Sequence, residues 1–183
     1  DATRGLTLRH LTTADIAVAH DLRRLAGWNQ SEQDWAGFLA FEAKGCFAAE
    51  LNGRVVGTAT TITYAKHFGW VGMVLVHPAQ RRCGIGKALL NRSIDYLHSL
   101  DVRCIKLDAT PMGRQVYVPM GFRDEYDLAR HEGVAADFAG EGTTNIEPLT
   151  LESLPEIVAF DAAIFGAERA AVLTSLGQHE PAW

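Results

Sequence analysis

The segment spanning residues 74–87 constrains the fold of this chain more than any other part of the sequence. Residues 74–76 form a short apolar run that predicts a buried strand. Gly84 and Gly86 follow, and beyond them apolar residues recur at helical spacing, which predicts a helix over residues 84–100. A strand, a glycine-containing loop and a helix therefore follow one another without interruption.

A loop of this kind is suited to binding a phosphate or pyrophosphate group. Glycines let backbone amides turn toward a ligand without interference from a Cβ atom. The first turn of a helix has unsatisfied amides and a partial positive charge. Arg81, Arg82 and Lys87 add cations in a chain whose net charge is −5, a balance that argues against nucleic acid as a partner. The plain alternative is a strand-to-helix turn with surface arginines.

Two familiar phosphate loops do not fit this segment. The Walker A pattern requires Ser or Thr after its lysine, whereas Lys87 is followed by Ala88. The dinucleotide-binding fingerprint requires three spaced glycines near the start of its unit, and only Gly84 and Gly86 are present here. The loop instead has the form Arg-x-x-Gly-x-Gly, beginning at Arg81.

The remaining patterns predict an α/β fold with a mixed central sheet and helices on both faces. Strand-like and helix-like segments follow one another in the order β-α-α-β-β-β-α-β-α-β. Asn52-Gly53 is a strong hairpin signal between two of the strands, and Ser31 is the predicted start of the second helix. We expect the last strand to begin at Phe122 and to end near Arg130.

Two motifs make the chain similar to the GNAT superfamily of N-acetyltransferases. One is the loop just described, with Val76-His77-Pro78 leading into it, and the other matches the family's Tyr-x-x-x-Gly-Phe element at residues 117–122. The resemblance covers roughly residues 4–130. A bacterial subgroup that often carries a second, C-terminal GNAT-like domain looks closest, on the segments Gly27-Trp28-Asn29, Asp34-Trp35 and Leu107-Asp108-Ala109-Thr110-Pro111.

The resemblance implies that acetyl-coenzyme A is the co-substrate. In this family the glycine-containing loop holds the pyrophosphate of the cofactor. The backbone amides of residues 74–76 are suited to stabilising negative charge that develops during acyl transfer. The predicted cofactor-binding residues are Val74, Leu75, Val76, Arg81, Arg82, Cys83, Gly84, Ile85, Gly86, Lys87 and Arg114.

Tyr117 and Asp108 are the predicted catalytic residues. A phenol at Tyr117 is suited to protonating a departing thiolate, and the alternative is an interior aromatic whose hydroxyl caps a backbone group. Residues 70–74 contain no carboxylate where many relatives have a glutamate base. Asp108, His67 and a chain of water molecules are the open alternatives for the base, and Asp108 has the further alternative of a turn-forming residue.

The predicted function is direct transfer of an acetyl group from acetyl-coenzyme A to an amine of a small molecule or of an amino terminus. The alternatives are a non-catalytic acyl-coenzyme A sensor or scaffold of the same fold, and a nucleotide-binding protein that uses the same loop. The acceptor is not identified by any motif. The acidic net charge of −5 hints at a cationic acceptor such as a polyamine or an aminoglycoside.

The chain divides into three predicted parts. Residues 1–132 form the GNAT domain, residues 133–145 read as a glycine- and threonine-containing linker, and residues 146–183 begin a second, incomplete GNAT-like domain or form a C-terminal appendage. Within this last part, Ser153 and Glu156 predict a capping box for a helix. We expect Ile146 to Leu149 to extend or abut a sheet.

The remaining expectations concern surroundings and partners. No apolar run is long enough to cross a bilayer, and the three cysteines are widely spaced and match no zinc or disulfide pattern. These features predict a cytoplasmic protein with reduced thiols and no metal site. The expected partners are acetyl-coenzyme A and an amine acceptor, with no nucleic acid and no membrane, and a homodimer is left open.

Overall fold

A computed structural model describes residues 4–131, 133–134, 149–150 and 152–179 of the chain. Its strands are β1 (Leu6–His10), β2 (Phe47–Leu51), β3 (Arg54–Tyr64), β4 (Phe68–Val76) and β5 (Cys104–Leu107). Its helices are α1 (Ile16–Leu25), α2 (Glu32–Glu42), α3 (Ile85–Ser99), α4 (Pro111–Tyr117), α5 (Leu154–Phe165) and α6 (Ala170–His179).

The strands form one mixed sheet in the order β1-β2-β3-β4-β5. Strands β1 to β4 pair with one another in chain order and are antiparallel, whereas β5 pairs with β4 and is parallel to it. Helices α1 and α2 pack on one face through Leu22 and Trp35, whereas α3 packs on the other through Leu89 and Leu90. The predicted α/β class, with a mixed sheet and helices on both faces, is confirmed.

Local sequence signals explain several element boundaries. Asn52 and Gly53 both have positive φ, 52° and 78°, in the turn between β2 and β3, as an Asn-Gly hairpin requires. Ser31 caps α2 by accepting a hydrogen bond from the Asp34 amide at 3.2 Å, and the Asp34 carboxylate accepts one in return from the Ser31 amide. Both predictions from the sequence are confirmed.

The strand predicted from Phe122 to Arg130 is wrong, because residues 122–131 have no regular secondary structure. Only the Phe122 end packs against the core. The next residues are held by side chains instead: Asp124 pairs with Arg114 at 2.6 Å, and Glu125 pairs with Lys106 at 2.7 Å. Ion pairs rather than a ladder of backbone hydrogen bonds hold this segment.

The C-terminal part of the described chain is helical. Helix α5 begins after Ser153, but the predicted capping box is absent there, because the Ser153 hydroxyl bonds Thr150 instead. Of the predicted strand at residues 146–149, the first three residues lie outside the described part of the chain. The division into a GNAT domain, a linker and a second unit stays a prediction. None of the described helices is long and apolar enough to span a membrane.

A salt-bridge network ties the start of the sheet to the turn before α1. Arg9 holds the Asp15 carboxylate with two hydrogen bonds of 2.7 and 2.8 Å and reaches Glu50 at 2.8 Å. Asp15 is 7% exposed and also accepts a bond from the Thr12 amide. These bonds, those from Arg9 first, lower the pKa of Asp15 to about 2.

We expect Asp15→Asn to lower the free energy of unfolding by about 2 kcal/mol at pH 7. Because the folded pKa lies below the unfolded value, the stabilisation is complete above pH 5 and disappears as the pH falls toward 2. The difference in the free energy of unfolding between wild type and Asp15→Asn should therefore shrink to about half at pH 3.

Urea denaturation at the two pH values measures this gap. Asp21→Asn is the matched control, because its partner is Arg24 and both side chains are 65% exposed. A surface pair of this kind contributes little. A gap for Asp15→Asn that does not change between pH 7 and pH 3 would show that its ionisation is not the source.

Candidate active site

Strands β4 and β5 separate partway along their length. Their pairing ends at Val71 and Leu107, while β4 continues to Val76. Among the described residues, no strand lies beside residues 72–76 on the β5 side. This opening, which we call the β4–β5 cleft, exposes backbone hydrogen-bonding groups that an extended ligand can pair with.

A bulge in β4 lies at the cleft. Thr58 pairs with Leu75 and Thr60 pairs with Gly72, so β4 has one residue more than β3 over this stretch. The extra residue brings Met73 to a left-handed φ of 49°. The buried hydroxyl of Thr58 donates a 2.9 Å hydrogen bond to the Met73 carbonyl and holds the bulge in place.

The loop after β4 is fastened by its first residues. The His77 amide donates to the Val56 carbonyl at 2.8 Å, and its ring nitrogen accepts from the Ala79 amide at 3.3 Å. The Arg81 guanidinium donates to the Val76 carbonyl at 3.1 Å, which ties the loop back to the strand. These bonds fix the path by which the chain reaches α3.

The end of the loop presents a row of free backbone amides. Within the described part of the chain, no amide of residues 82–87 donates to another residue, and the first bond of α3 runs from Ala88 to the Gly84 carbonyl at 2.9 Å. Arg82 and Gly84 adopt left-handed conformations, with φ of 62° and 82°. Such a row at a helix N-terminus is an anion-binding arrangement.

Side chains around these amides complete the arrangement. Arg82 and Lys87 are exposed, so both cations are free to move toward an anion. Ile85 is 1% exposed and packs with Phe47 and Leu89, which anchors the helix start. Cys83 is half-buried and its thiol lies 3.5 Å from the Arg81 carbonyl. The structure thus gathers the loop residues predicted to bind the cofactor, Arg81 to Lys87, at one end of the cleft.

Tyr117 lies on the α3 side of the same cleft. It is 9% exposed and packs with Val71, the last paired residue of β4, and with Leu107 of β5. Among the described residues, its hydroxyl has no hydrogen-bond partner, so the alternative of a backbone-capping hydroxyl finds no support. Burial raises the pKa of Tyr117, which keeps the phenol protonated at neutral pH.

The other predicted residues lie at the edge of the β4–β5 cleft or outside it. Asp108 follows β5 at the mouth of the cleft and is exposed. Arg114 points to Asp124, which accepts two hydrogen bonds of 2.6 and 2.9 Å from it. His67 precedes β4, at the opposite end of that strand from Val76. Sequence reasoning missed Met73 and Thr58, since a bulge depends on how two strands pair.

In this fold, the N-terminus of α3 and the separated strands β4 and β5 form one candidate site. Residues 12–122 match the sequence profile of the acetyltransferase (GNAT) family. This match covers more than half of the chain, and the chain belongs to that family.

Individual relatives agree with this assignment. The holothin acyltransferase of Pseudoalteromonas sp. (strain SANK 73390) is 26% identical over 146 residues, which cover 80% of this chain and 48% of that protein. The chain therefore spans about half the length of this curated relative.

Two solved structures show the same fold. A candidate acetyltransferase from Pyrococcus horikoshii superposes with a TM-score of 0.75 at 22% identity, over 98% of this chain and 64% of that one. An acetyltransferase predicted in Clostridium acetobutylicum, crystallised with acetyl-CoA, superposes with a TM-score of 0.56 at 20% identity, over 69% of this chain and 96% of that one.

We expect Gly86→Asp to weaken acetyl-coenzyme A binding at least about tenfold, because a carboxylate then lies beside the amides that receive the phosphates. The fold should tolerate the change, since the nearest atom to an added Cβ is Val76 Cγ2 at 3.6 Å. An acidic residue in the first turn of a helix is also favourable.

Calorimetric titration measures the affinity, and thermal unfolding checks the fold. Gly86→Asn is the matched control, because it adds the same bulk without the charge and should weaken binding less. Equal affinities of wild type and Gly86→Asp would mean that the loop does not hold the phosphates.

Proposed function

We propose that this protein transfers an acetyl group from acetyl-coenzyme A directly to an amine. The observation that carries the proposal is the meeting of two features at one cleft. The free amides of residues 82–87 lie at its end, and the Tyr117 side chain packs with its last paired residues, Val71 and Leu107. A nucleotide-binding loop alone would have no use for such a phenol.

The cleft fits this co-substrate in three respects. The amides of residues 82–87, with Arg82 and Lys87, suit a pyrophosphate. The unpaired backbone of residues 72–76 suits an extended amide-containing arm, and it leaves amides near Val74 for an oxygen that gains negative charge. When bound, acetyl-coenzyme A supplies an activated acyl group: its carbon–sulfur bond breaks as the nitrogen–carbon bond forms, and coenzyme A leaves as the thiol.

Tyr117 is suited to giving the proton that the departing sulfur needs. A raised pKa keeps the phenol protonated until the thiolate forms, and the proton that the amine nitrogen loses passes to water. Residues 70–74 offer no carboxylate base, so Asp108 at the cleft mouth remains a candidate for the base, with His67 and water molecules as the alternatives.

The curated relative is an acyltransferase by name, and one structural neighbour was crystallised with acetyl-CoA. Both support the proposal. The missing carboxylate in β4 favours the second candidate, a domain that binds acyl-coenzyme A without transferring the acyl group. Release of coenzyme A thiol in the presence of amines separates the two functions.

We expect Tyr117→Phe to lower kcat by about a hundredfold, as loss of a general acid does, while acetyl-coenzyme A affinity and the melting temperature hold. The ring that packs on Val71 remains, and the hydroxyl has no partner to lose among the described residues. Thiol-release kinetics and calorimetry measure the two effects.

Tyr96→Phe is the matched control for this change. Its hydroxyl bonds Glu42 away from the cleft, so we expect this variant to lose stability and to keep its turnover. Tyr117 does not act as the acid if Tyr117→Phe and wild type turn over equally.

A further inference from the structure

A cavity of about 320 Å³ lies against the face of the sheet opposite α3. Four aromatic side chains line it: Phe68 and Trp70 from β4, Tyr126 from the segment after α4, and Phe165 from α5. Its volume is in the range of small-molecule sites, and half of the described residues that line it are aromatic. Nothing in the mechanism above uses it.

The cavity borders the β4–β5 cleft. Trp70 and Lys106 both line it and face each other across β4 and β5. The next pair along, Val71 and Leu107, is the last before the strands separate, and its side chains point to the α3 face. The cavity therefore lies one residue pair from the opening of the cleft, on the sheet face opposite Tyr117.

The aromatic walls are fixed in position. The ring of Phe165 contacts Tyr64 and Phe68 edge to face, at centroid distances of 5.0 and 5.1 Å, and lies nearly parallel to Trp70 at 22°. The Arg169 guanidinium lies over the Phe165 ring, 4.0 Å from its centroid. Preset ring faces of this kind favour a flat ligand over a puckered one.

The described charged residues that line the cavity already have partners. Asp161 accepts two hydrogen bonds from Arg169, at 2.6 and 2.7 Å, and these bonds lower the pKa of Asp161. Lys106 is paired with Glu125 at 2.7 Å. Among the described lining residues, no carboxylate is left without a cation, so an ammonium ion that enters finds no free counter-ion in this part of the wall.

We propose that this cavity binds the acyl acceptor, and that the acceptor is an aromatic or heteroaromatic amine. The inference rests on the proposed function and deepens it. An amine on an aromatic ring shares its lone pair with the ring and is uncharged at neutral pH. Such an acceptor matches the flat walls and the paired charges, and it needs no base, which is the group that β4 lacks. It differs from the cationic acceptor to which the net charge hinted.

Aniline and cyclohexylamine are the matched probes, since both carry one amine on a six-membered ring. We expect aniline to bind the acetyl-coenzyme A-loaded protein and to accept the acetyl group, and cyclohexylamine to do neither at neutral pH. Saturation-transfer NMR measures binding separately from turnover, because charged cyclohexylammonium is unreactive in any site. Equal binding of the two amines would overturn the proposal.

Phe165→Leu keeps an apolar side chain but removes the ring face, and it should raise KM for aniline about three- to tenfold without changing acetyl-coenzyme A affinity. Phe160→Leu is the control on the same helix, because Phe160 is 70% exposed and does not line the cavity. Tyr126→Ala is a second test that does not threaten folding, since Tyr126 is 64% exposed.

The two readouts separate this proposal from the proposed function. Aniline binding that weakens in Phe165→Leu and Tyr126→Ala, without acetyl transfer to any amine, would support the cavity and reject the transferase. Acetyl transfer to aniline that is the same in both variants and in wild type would keep the transferase and reject the cavity as the acceptor site.

Discussion

The bulge at Met73 is the constraint on which the rest of the site depends. Without the extra residue, each side chain of residues 74–76 would point to the other face of the sheet, because successive side chains in a strand point to opposite faces. The bulge lets Val71 and Val74 pack toward α3 while Met73 and Leu75 pack toward α1 and α2. It also increases local twist, which suits the point where β5 stops following β4. The buried bond from Thr58 to the Met73 carbonyl holds this geometry from the neighbouring strand.

Several features set by local chemistry were predictable from the sequence, although the capping box expected at Ser153 is absent. The glycine loop that leads into α3, the Asn52-Gly53 turn and the start of α2 each depend on a few neighbouring residues, and the structure has all three where the sequence indicated. Features set by distant contacts were not. The segment after Phe122 was expected to be a strand, yet its Asp124 and Glu125 pair with the side chains of Arg114 and Lys106, which no periodicity reveals.

The candidate site also has one part that the sequence could indicate and one part that it could not. Tyr117 was identifiable because its motif lies within one short helix and the turn that follows. The aromatic cavity was not, because it joins β4 to a helix almost a hundred residues later in the chain. Asp161, Phe165 and Arg169 lie within residues 146–183, for which the sequence predicted only a second, incomplete unit or an appendage. Their spacing fixes an ion pair and a covered ring, but the sheet face that they meet depends on how α5 docks.

The groups at the β4–β5 cleft and the groups that line the aromatic cavity lie in different parts of the chain. The family profile ends at residue 122 and contains the bulge, the glycine loop before α3 and Tyr117, the groups to which the proposed function assigns the co-substrate. Of the groups that shape the aromatic cavity, Tyr126, Asp161, Phe165 and Arg169 lie beyond that boundary. On the proposed function, co-substrate binding and acceptor choice would come from different stretches of sequence on opposite faces of one sheet. Changes in the C-terminal helices would then alter the acceptor site without disturbing the amides of residues 82–87.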